Sequence, residues 1–469
     1  MTRLFALSLA LAVPSLLFAD AAAARSEPAP SPALTPAAFL RGGSTDTAAP
    51  AARWWDGLGD AQLTALIEQG LKDAPGIAAA QARIKQARAG LSAARAGLLP
   101  SINGSALYAR GDLPADALGN SSGQIELFNL GFDAQWEVDL WGGKRRGVSK
   151  ARAQADLAGA RLADAQVSLS AEIARSYIGL RAREASLALL DHRHALESRI
   201  VDIAGQRYRA GTAPRQPVET AEMQLQQTRA EQARTAAEIS VLRDSLAILT
   251  GQAPGALDSL AKAEIPLPPA SVAIGDPAAM LARRPDIRIA DRQLAMAGAQ
   301  VGIERAKLFP QISFMGLIGI GGTSASDMFD TSQLSTIALP RLSWSFLDFG
   351  RTAAAIRGAK AGREAAIADY RGAVLAALQD AEAALGRYGA ARITYARASD
   401  TLRHAGQLSR LQTMRAEAGT AAPLDALETD RQALNAHLAQ ANQRAELTLA
   451  YVSLAKALGL GWQADAPRP

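Results

Sequence analysis

Four histidines, no cysteine and a scatter of carboxylates are the residues of this 469-residue chain that could do chemistry, and their spacing assembles no catalytic set. His192 and His194 stand two apart, so on a helix they point to different faces and make a poor metal site. The run Gly319-Ile320-Gly321-Gly322-Thr323 is rich in glycine but ends a strand pattern and opens no helix, so a hairpin loop fits it better than a phosphate cradle. Without cysteine there are no disulfides, no thiolate metal sites and no lipid-modified N-terminal cysteine. Glu428 and Arg431 are three apart, the spacing of an ordinary helical ion pair worth about 0.2–0.5 kcal/mol. Lys144-Arg145-Arg146 leaves two readings open, a solvated charge run or a grip on lipid headgroups. The expectation is a chain with no enzyme activity, no metal and no cofactor.

A net charge of +5, with basic and acidic residues interleaved along the sequence, argues against nucleic acid as a partner. The start is different in kind: Arg3, an apolar stretch Leu4–Phe18 and an alanine-rich segment predict a secretory signal peptide over 1–24, cleaved after Ala21 or Ala24. That apolar run is shorter than the ~20 residues a membrane-spanning helix needs. No later segment reaches such a span, so the mature chain is either soluble or a β-barrel.

Two-fold duplication organises the rest. Gly142 to Gly211 and Gly350 to Gly419 are both 69 positions; Gly211 to Gly251 and Gly419 to Gly459 are both 40. Pro75 and Pro100 are 25 apart, as are Pro285 and Pro310. Such a period is too long for a solenoid and marks two copies of a whole structural unit. After an extended arm over 25–60, the first copy spans 61–251: a short amphipathic helix near 61–72, a helix near 76–98, strands 101–110 and 124–139, a long helix 145–209, a turn 211–215 and a helix 216–250. A Pro- and Gly-rich linker covers 252–277. The second copy, 278–462, repeats the order with a helix near 286–308, strands 311–321 and 334–348, a long helix 352–417, a turn 419–423 and a helix 424–458; a tail follows over 463–469. At 1.5 Å per residue the long helices are rods of roughly 100 Å, beside which the two shorter ones of a unit can stack end to end.

From Phe128 to Leu140 the residues alternate without exception. Phe128, Leu130, Phe132, Ala134, Trp136, Val138 and Leu140 take one side; Asn129, Gly131, Asp133, Gln135, Glu137 and Asp139 take the other. The second copy alternates more weakly, with Leu342, Trp344 and Phe346 against Ser343 and Ser345. One such strand fits a half-buried soluble sheet as well as a barrel wall with lipid outside and water inside. Counting separates them: four strands cannot close a barrel, which needs at least about eight, so several chains must pool their strands, and a trimer would supply twelve.

On these residues the chain resembles the trimeric outer-membrane factors of Gram-negative tripartite efflux pumps, the TolC-like and OprM-like ducts. The carriers are Trp54-Trp55, the segment ending Ala96-Gly97-Leu98-Leu99-Pro100-Ser101, and Trp136-Glu137-Val138-Asp139-Leu140-Trp141-Gly142 with its counterpart Trp344-Ser345-Phe346-Leu347-Asp348-Phe349-Gly350-Arg351. The Ala-Gly-Thr turns and Lys456-Ala457-Leu458-Gly459-Leu460-Gly461-Trp462 complete them. The resemblance implies a mainly α fold with transmembrane β: a homotrimer whose twelve-stranded barrel sits in outer-membrane lipid and continues as a twelve-helix periplasmic tunnel. It implies a passive exit duct working with a periplasmic adaptor and an inner-membrane transporter of RND or ABC type. Counted from Gly419, the family pattern puts a gate on Leu424, Glu428 and Arg431, with Glu where the pattern has Asp. Gly211, Thr212, Gly419 and Thr420 then form the adaptor-docking tip, and Phe128, Leu130, Phe132, Trp136, Val138, Trp344 and Phe346 face the membrane. OprM-like members carry a lipidated cysteine after the signal peptide; its absence here leaves the barrel alone to hold the protein. The competing class is a periplasmic coiled-coil adaptor or scaffold, which would lack the matched hairpins. The cargo is not legible.

Overall fold

Asp60 shows how this chain starts a helix: extended itself, it accepts hydrogen bonds from the backbone N–H groups of Gln62 and Leu63 at 2.9 and 3.0 Å. Those donors have no partner within a helix, so the carboxylate caps α1 (Ala61–Asp73). The apolar face that follows, Leu63, Leu66 and Ile67, is buried. The protein is described by a computed structural model, which covers residues 36–41, 48–113 and 123–462; apart from Pro36 these belong to the unit Ala37–Pro469. The signal peptide expected over 1–24, the arm up to 35 and the tail 463–469 lie outside the described residues.

After α1 come α2 (Pro75–Ala96), β1 (Ser101–Leu113), β2 (Gly123–Val138), α3 (Gly143–Arg209) and α4 (Gln216–Leu249). A short α5 (Pro277–Arg283) precedes α6 (Pro285–Ala306), β3 (Gln311–Gly322), β4 (Leu334–Ser343), α7 (Arg351–Glu417) and α8 (Pro423–Ala457). Each half runs helix, two strands, a helix of 67 residues, a glycine turn and a final helix. None of the described helices is long and apolar enough to cross a membrane. The four described strands form one antiparallel sheet in the order β1-β2-β3-β4. Where β2 and β3 meet, the backbones come close: a Cβ on Gly321 would lie 2.1 Å from the Phe128 carbonyl oxygen. The glycine run thus belongs to β3 rather than to the loop expected there, and glycine is what lets the strands approach.

Three sequence expectations are corrected. The strand expected over 334–348 ends at Ser343, because Ser343 pairs with Gln311, the first residue of β3, and no described strand lies beyond it to pair. Trp344 and Phe346 therefore leave the sheet. In the arm expected to lie extended on the surface, Trp54–Leu58 is a 3₁₀ turn whose Trp54, Trp55 and Leu58 are buried, drawn in as the two adjacent indoles pack into the core. α5 occupies a stretch for which no helix was expected; Asp276 caps it by accepting from the Ala279 N–H at 2.8 Å.

The core gathers where the Trp54–Leu58 turn, α1 and the middle of α3 meet the C-terminal part of α8. Trp54 meets Tyr451 edge-on at 6.0 Å, and the Tyr451 hydroxyl donates to the Trp54 carbonyl at 3.0 Å. Burial, then the nearby Tyr388, pushes the Tyr451 phenol up from 10.0 to about 12. A raised phenol supports the fold fully below pH 10 and loses that support as pH climbs through 12, about 2–3 kcal/mol in all. Thermal melts at pH 8 and pH 11 are expected to show a smaller alkaline loss in Tyr451→Phe than in the parent; equal losses would reject this.

Helix neighbours are ordered. α3 packs against α2 and α4 on one flank and α6 and α8 on the other, whereas α7 packs mainly against α6 and α8. Of their 67 residues each, α3 buries nineteen and α7 six. One flank of α7 is therefore open, and its exposed residues include Leu375, Ile393, Leu411 and Met414.

Candidate functional site

Both long helices stop in the same way. Gly211 and Gly419 have φ of 67° and 73°, the left-handed region that glycine enters at no steric cost. The next residue then folds back: the Thr212 N–H donates to the Arg207 carbonyl and the Thr420 N–H to the Arg415 carbonyl, each at 2.9 Å. Each threonine hydroxyl donates to the same carbonyl at 3.0 Å. These are helix C-caps of the Schellman kind. All four residues are exposed, and a Cβ on either glycine would meet no atom within 4 Å.

Leu424, Glu428 and Arg431 lie on the first turns of α8, half-buried. Pro423 opens that helix, where its missing N–H costs nothing. Arg431 grips Glu428 through two parallel hydrogen bonds, Nε to Oε2 at 3.0 Å and Nη2 to Oε1 at 2.7 Å. The bond to Glu428 holds the Arg431 guanidinium above its ordinary value, with a further contribution from Glu197 on α3. Glu197 was not singled out from the sequence, since its nearness to Arg431 comes from packing. It is buried, and Arg193 one turn earlier binds it at 2.8 Å.

On β2, Leu130, Phe132 and Trp136 are exposed on one face, while Phe128 packs on Tyr108 at 4.8 Å and Val138 is half-buried. The opposite face carries polar pairs between β1 and β2, where Asn103 donates to Asp133 at 3.1 Å, beside exposed Leu107 and Leu127. It is not polar throughout: Met315 of β3 and Ile337 and Leu339 of β4 are exposed on it. At the junction into the helices, Trp136 donates its indole N–H to the Leu98 carbonyl and Trp344 to the Leu308 carbonyl, both at 3.0 Å. Lys144 and Arg145 are already engaged by acids there, Glu137 at 3.4 Å and Asp139 at 3.1 Å, which favours the solvated reading over a headgroup grip. His194 accepts from Arg229 at 3.2 Å, and no group of three or more possible metal ligands occurs among the described residues. The residues expected at the gate, the tip and the wall thus sit in separate places along the chain's elements and do not converge as a reaction centre would.

The chain matches the family described as outer membrane efflux protein over residues 66–252 and 277–460. It is 29% identical to the pyoverdine export outer membrane protein OpmQ of Pseudomonas aeruginosa over 91% of each chain. To the outer membrane protein OprJ of the same species it is 30% identical, covering 87% of this chain and 86% of that one. Among solved structures, the outer-membrane channel OprN matches with a TM-score of 0.85 at 30% identity, over 92% of this chain and 98% of that one. The Neisseria gonorrhoeae MtrE outer membrane channel, in its open state, matches with a TM-score of 0.77 at 25% identity, over 91% of this chain and 95% of that one. The fold is that of the TolC-like outer-membrane channels, and the chain belongs to the outer membrane efflux protein family, an exit duct of the outer membrane rather than an enzyme.

Proposed function

We propose that three copies of this chain pool their sheets into a twelve-stranded barrel in the outer membrane and their helices into a twelve-column tunnel in the periplasm. The observation that carries this is the sheet itself: among the described residues it has four strands, its edges β1 and β4 are unpaired, and large apolar side chains are exposed on it. An open edge in lipid leaves backbone groups with no partner, so the sheet must close through other copies. The helices support the same count. α3, α7, the pair α2 and α4, and the pair α6 and α8 make four columns per copy, and the open flank of α7 is free to meet α2 and α4 of the next copy. Phe128, Leu130, Phe132, Trp136 and Val138 then face lipid, and the barrel alone anchors the protein after its signal peptide is removed.

The glycine turns Gly211-Thr212 and Gly419-Thr420 form the periplasmic tip that docks the adaptor, through which an inner-membrane transporter of RND or ABC type delivers its substrate. Twelve residues above Gly419, Arg431 and its partner Glu428 constrict the tunnel with Leu424. Purified protein in planar bilayers is expected to form low-conductance channels and to run as a trimer on an unboiled gel; a soluble monomer without conductance would favour the scaffold reading. Glu428→Ala combined with Arg431→Ala is expected to raise single-channel conductance several-fold. Unchanged conductance would reject the gate assignment and leave the duct standing.

A further inference from the structure

The two halves pair in one register. β1 meets β2 with Ser101 opposite Gln135, and β3 meets β4 with Gln311 opposite Ser343. Ser101 and Gln311 directly follow Pro100 and Pro310, and Gln135 and Ser343 directly precede Trp136 and Trp344, so these positions correspond. Between the halves, β2 runs three residues past the end of β1: Trp136, Glu137 and Val138 lie opposite Phe314, Ser313 and Ile312 of β3. Pairing with β3 is what keeps them in strand. Their counterparts in the second half are Trp344, Ser345 and Phe346, and the counterparts of Phe314, Ser313 and Ile312 are Gly104, Asn103 and Ile102. Within one chain β4 and β1 are opposite edges of the sheet, so this pairing is missing and β4 stops at Ser343.

A second contact is missing in the same sense. Trp141 stacks on Phe309 at 4.5 Å and donates its indole N–H to the Pro310 carbonyl at 2.6 Å. Its counterpart Phe349 stands 93% exposed on a backbone of φ 51°, the one described residue other than glycine with positive φ. The counterparts of Phe309 and Pro310 are Leu99 and Pro100, and Leu99 is 68% exposed. A bulky residue in that backbone region persists where its surroundings over-determine it.

We propose that the second half of one copy docks on the first half of the next in the register that β2 and β3 use, which rests on the ring of copies proposed above. β4 then lengthens to Phe346, with Phe346 opposite Ile102, Trp344 opposite Gly104 and Leu342 opposite Ala106 of the neighbouring copy. Phe349 lies on Leu99 and Pro100 of that copy, as Trp141 lies on Phe309 and Pro310 in its own. Sizes complement along this seam: the largest side chain faces glycine and Leu342 faces alanine, while Ile102 and Phe346, 71% and 76% exposed in one copy, cover each other. Pro340 has no N–H, so this ladder has at most one hydrogen bond fewer than its template. Such a head-to-tail contact closes into a ring when its rotation allows.

The absence of cysteine makes the register directly readable by crosslinking in the full-length protein in its outer membrane. Opposite residues of an antiparallel pair have Cβ atoms about 4.5–5.5 Å apart, within reach of oxidation to a disulfide or of a short bis-thiol reagent. The pairs Phe346→Cys with Ile102→Cys and Phe349→Cys with Leu99→Cys are expected to give covalent dimers and trimers on boiled gels. Differently tagged single variants expressed together should crosslink only to each other. Phe346→Cys with Gly104→Cys, slipped by two residues, should stay uncrosslinked. Trimers that survive on unboiled gels while the matched pairs stay silent or the slipped pair reacts would overturn the register and leave the ring intact. Absence of trimers in the unmodified protein would overturn the ring and the register with it.

Discussion

Valine at both Gly211 and Gly419 is expected to reduce efflux-dependent resistance to the level of a strain lacking this chain, while trimers remain in the outer membrane. Both glycines hold φ near 70°. There a β-branched residue is strained by about 1–2 kcal/mol. Neither position has an atom within 4 Å of where a Cβ would sit, so the substitution makes no clash, and the fold survives. What it disturbs is the backbone that returns the Thr212 and Thr420 N–H groups to carbonyls five residues earlier. Losing that cap changes the direction in which the chain enters α4 and α8, and with it the surface offered to the adaptor. Asparagine, which tolerates left-handed backbone, is the informative control: Gly211→Asn with Gly419→Asn should retain most resistance. The measurement is the minimal inhibitory concentration of a pump substrate, with heat-modifiable trimers counted in the same membranes. Full resistance in the valine variant would remove docking from this tip.

Features that recur in both halves were legible in the sequence because repetition makes local signals mutually supporting. The paired glycines, the prolines before β1 and β3, and the tryptophans Trp136 and Trp344 with their equivalent indole hydrogen bonds are of this kind. Strand ends were not, since an end is set by a partner: β2 reaches Val138 because β3 is beside it, whereas β4, with no described strand on its outer side, stops at Ser343. Nor does spacing tell one Arg–Glu pair from another. Glu428–Arg431 and Arg181–Glu184 are both three residues apart on a helix, yet the first pair is half-exposed and the second is sealed in the core. The difference lies in what packs over them. Arg181 donates to Gln62 and its neighbour Tyr177 to Asp60, both more than a hundred residues away in the chain, which no local pattern connects to α3.

That contrast makes Arg181→Ala the largest stability effect expected for a single substitution here. The guanidinium is 0% exposed; it donates to Glu184 and to the Gln62 side chain, each at 2.6 Å, and lies 4.5 Å over the Tyr177 ring. Tyr177 in turn donates to Asp60 at 2.7 Å, the residue that caps α1, and burial followed by Asp60 holds its phenol above the ordinary value. Glu184 also receives Arg243 of α4 at 3.0 Å. Arg181 and Glu184 together thus join α1, α3 and α4. Removing it leaves Glu184 half-paired in the core and Gln62 without its donor, and breaking a buried pair from one side costs about 3–5 kcal/mol. Arg181→Met, which fills part of the space but also takes a partner from Glu184, should do little better, and pairing it with Glu184→Leu, which removes that carboxylate but takes from half-buried Arg243 its partner, should recover only part of the loss. Arg431→Ala, at a half-exposed pair, should shift stability by less than about 1 kcal/mol. Denaturant melts of the detergent-solubilised protein, followed by limited proteolysis around residues 48–75, separate these outcomes. A loss at Arg181→Ala no larger than that at Arg431→Ala would mean that packing, rather than this charge network, fastens α1 to the long helix.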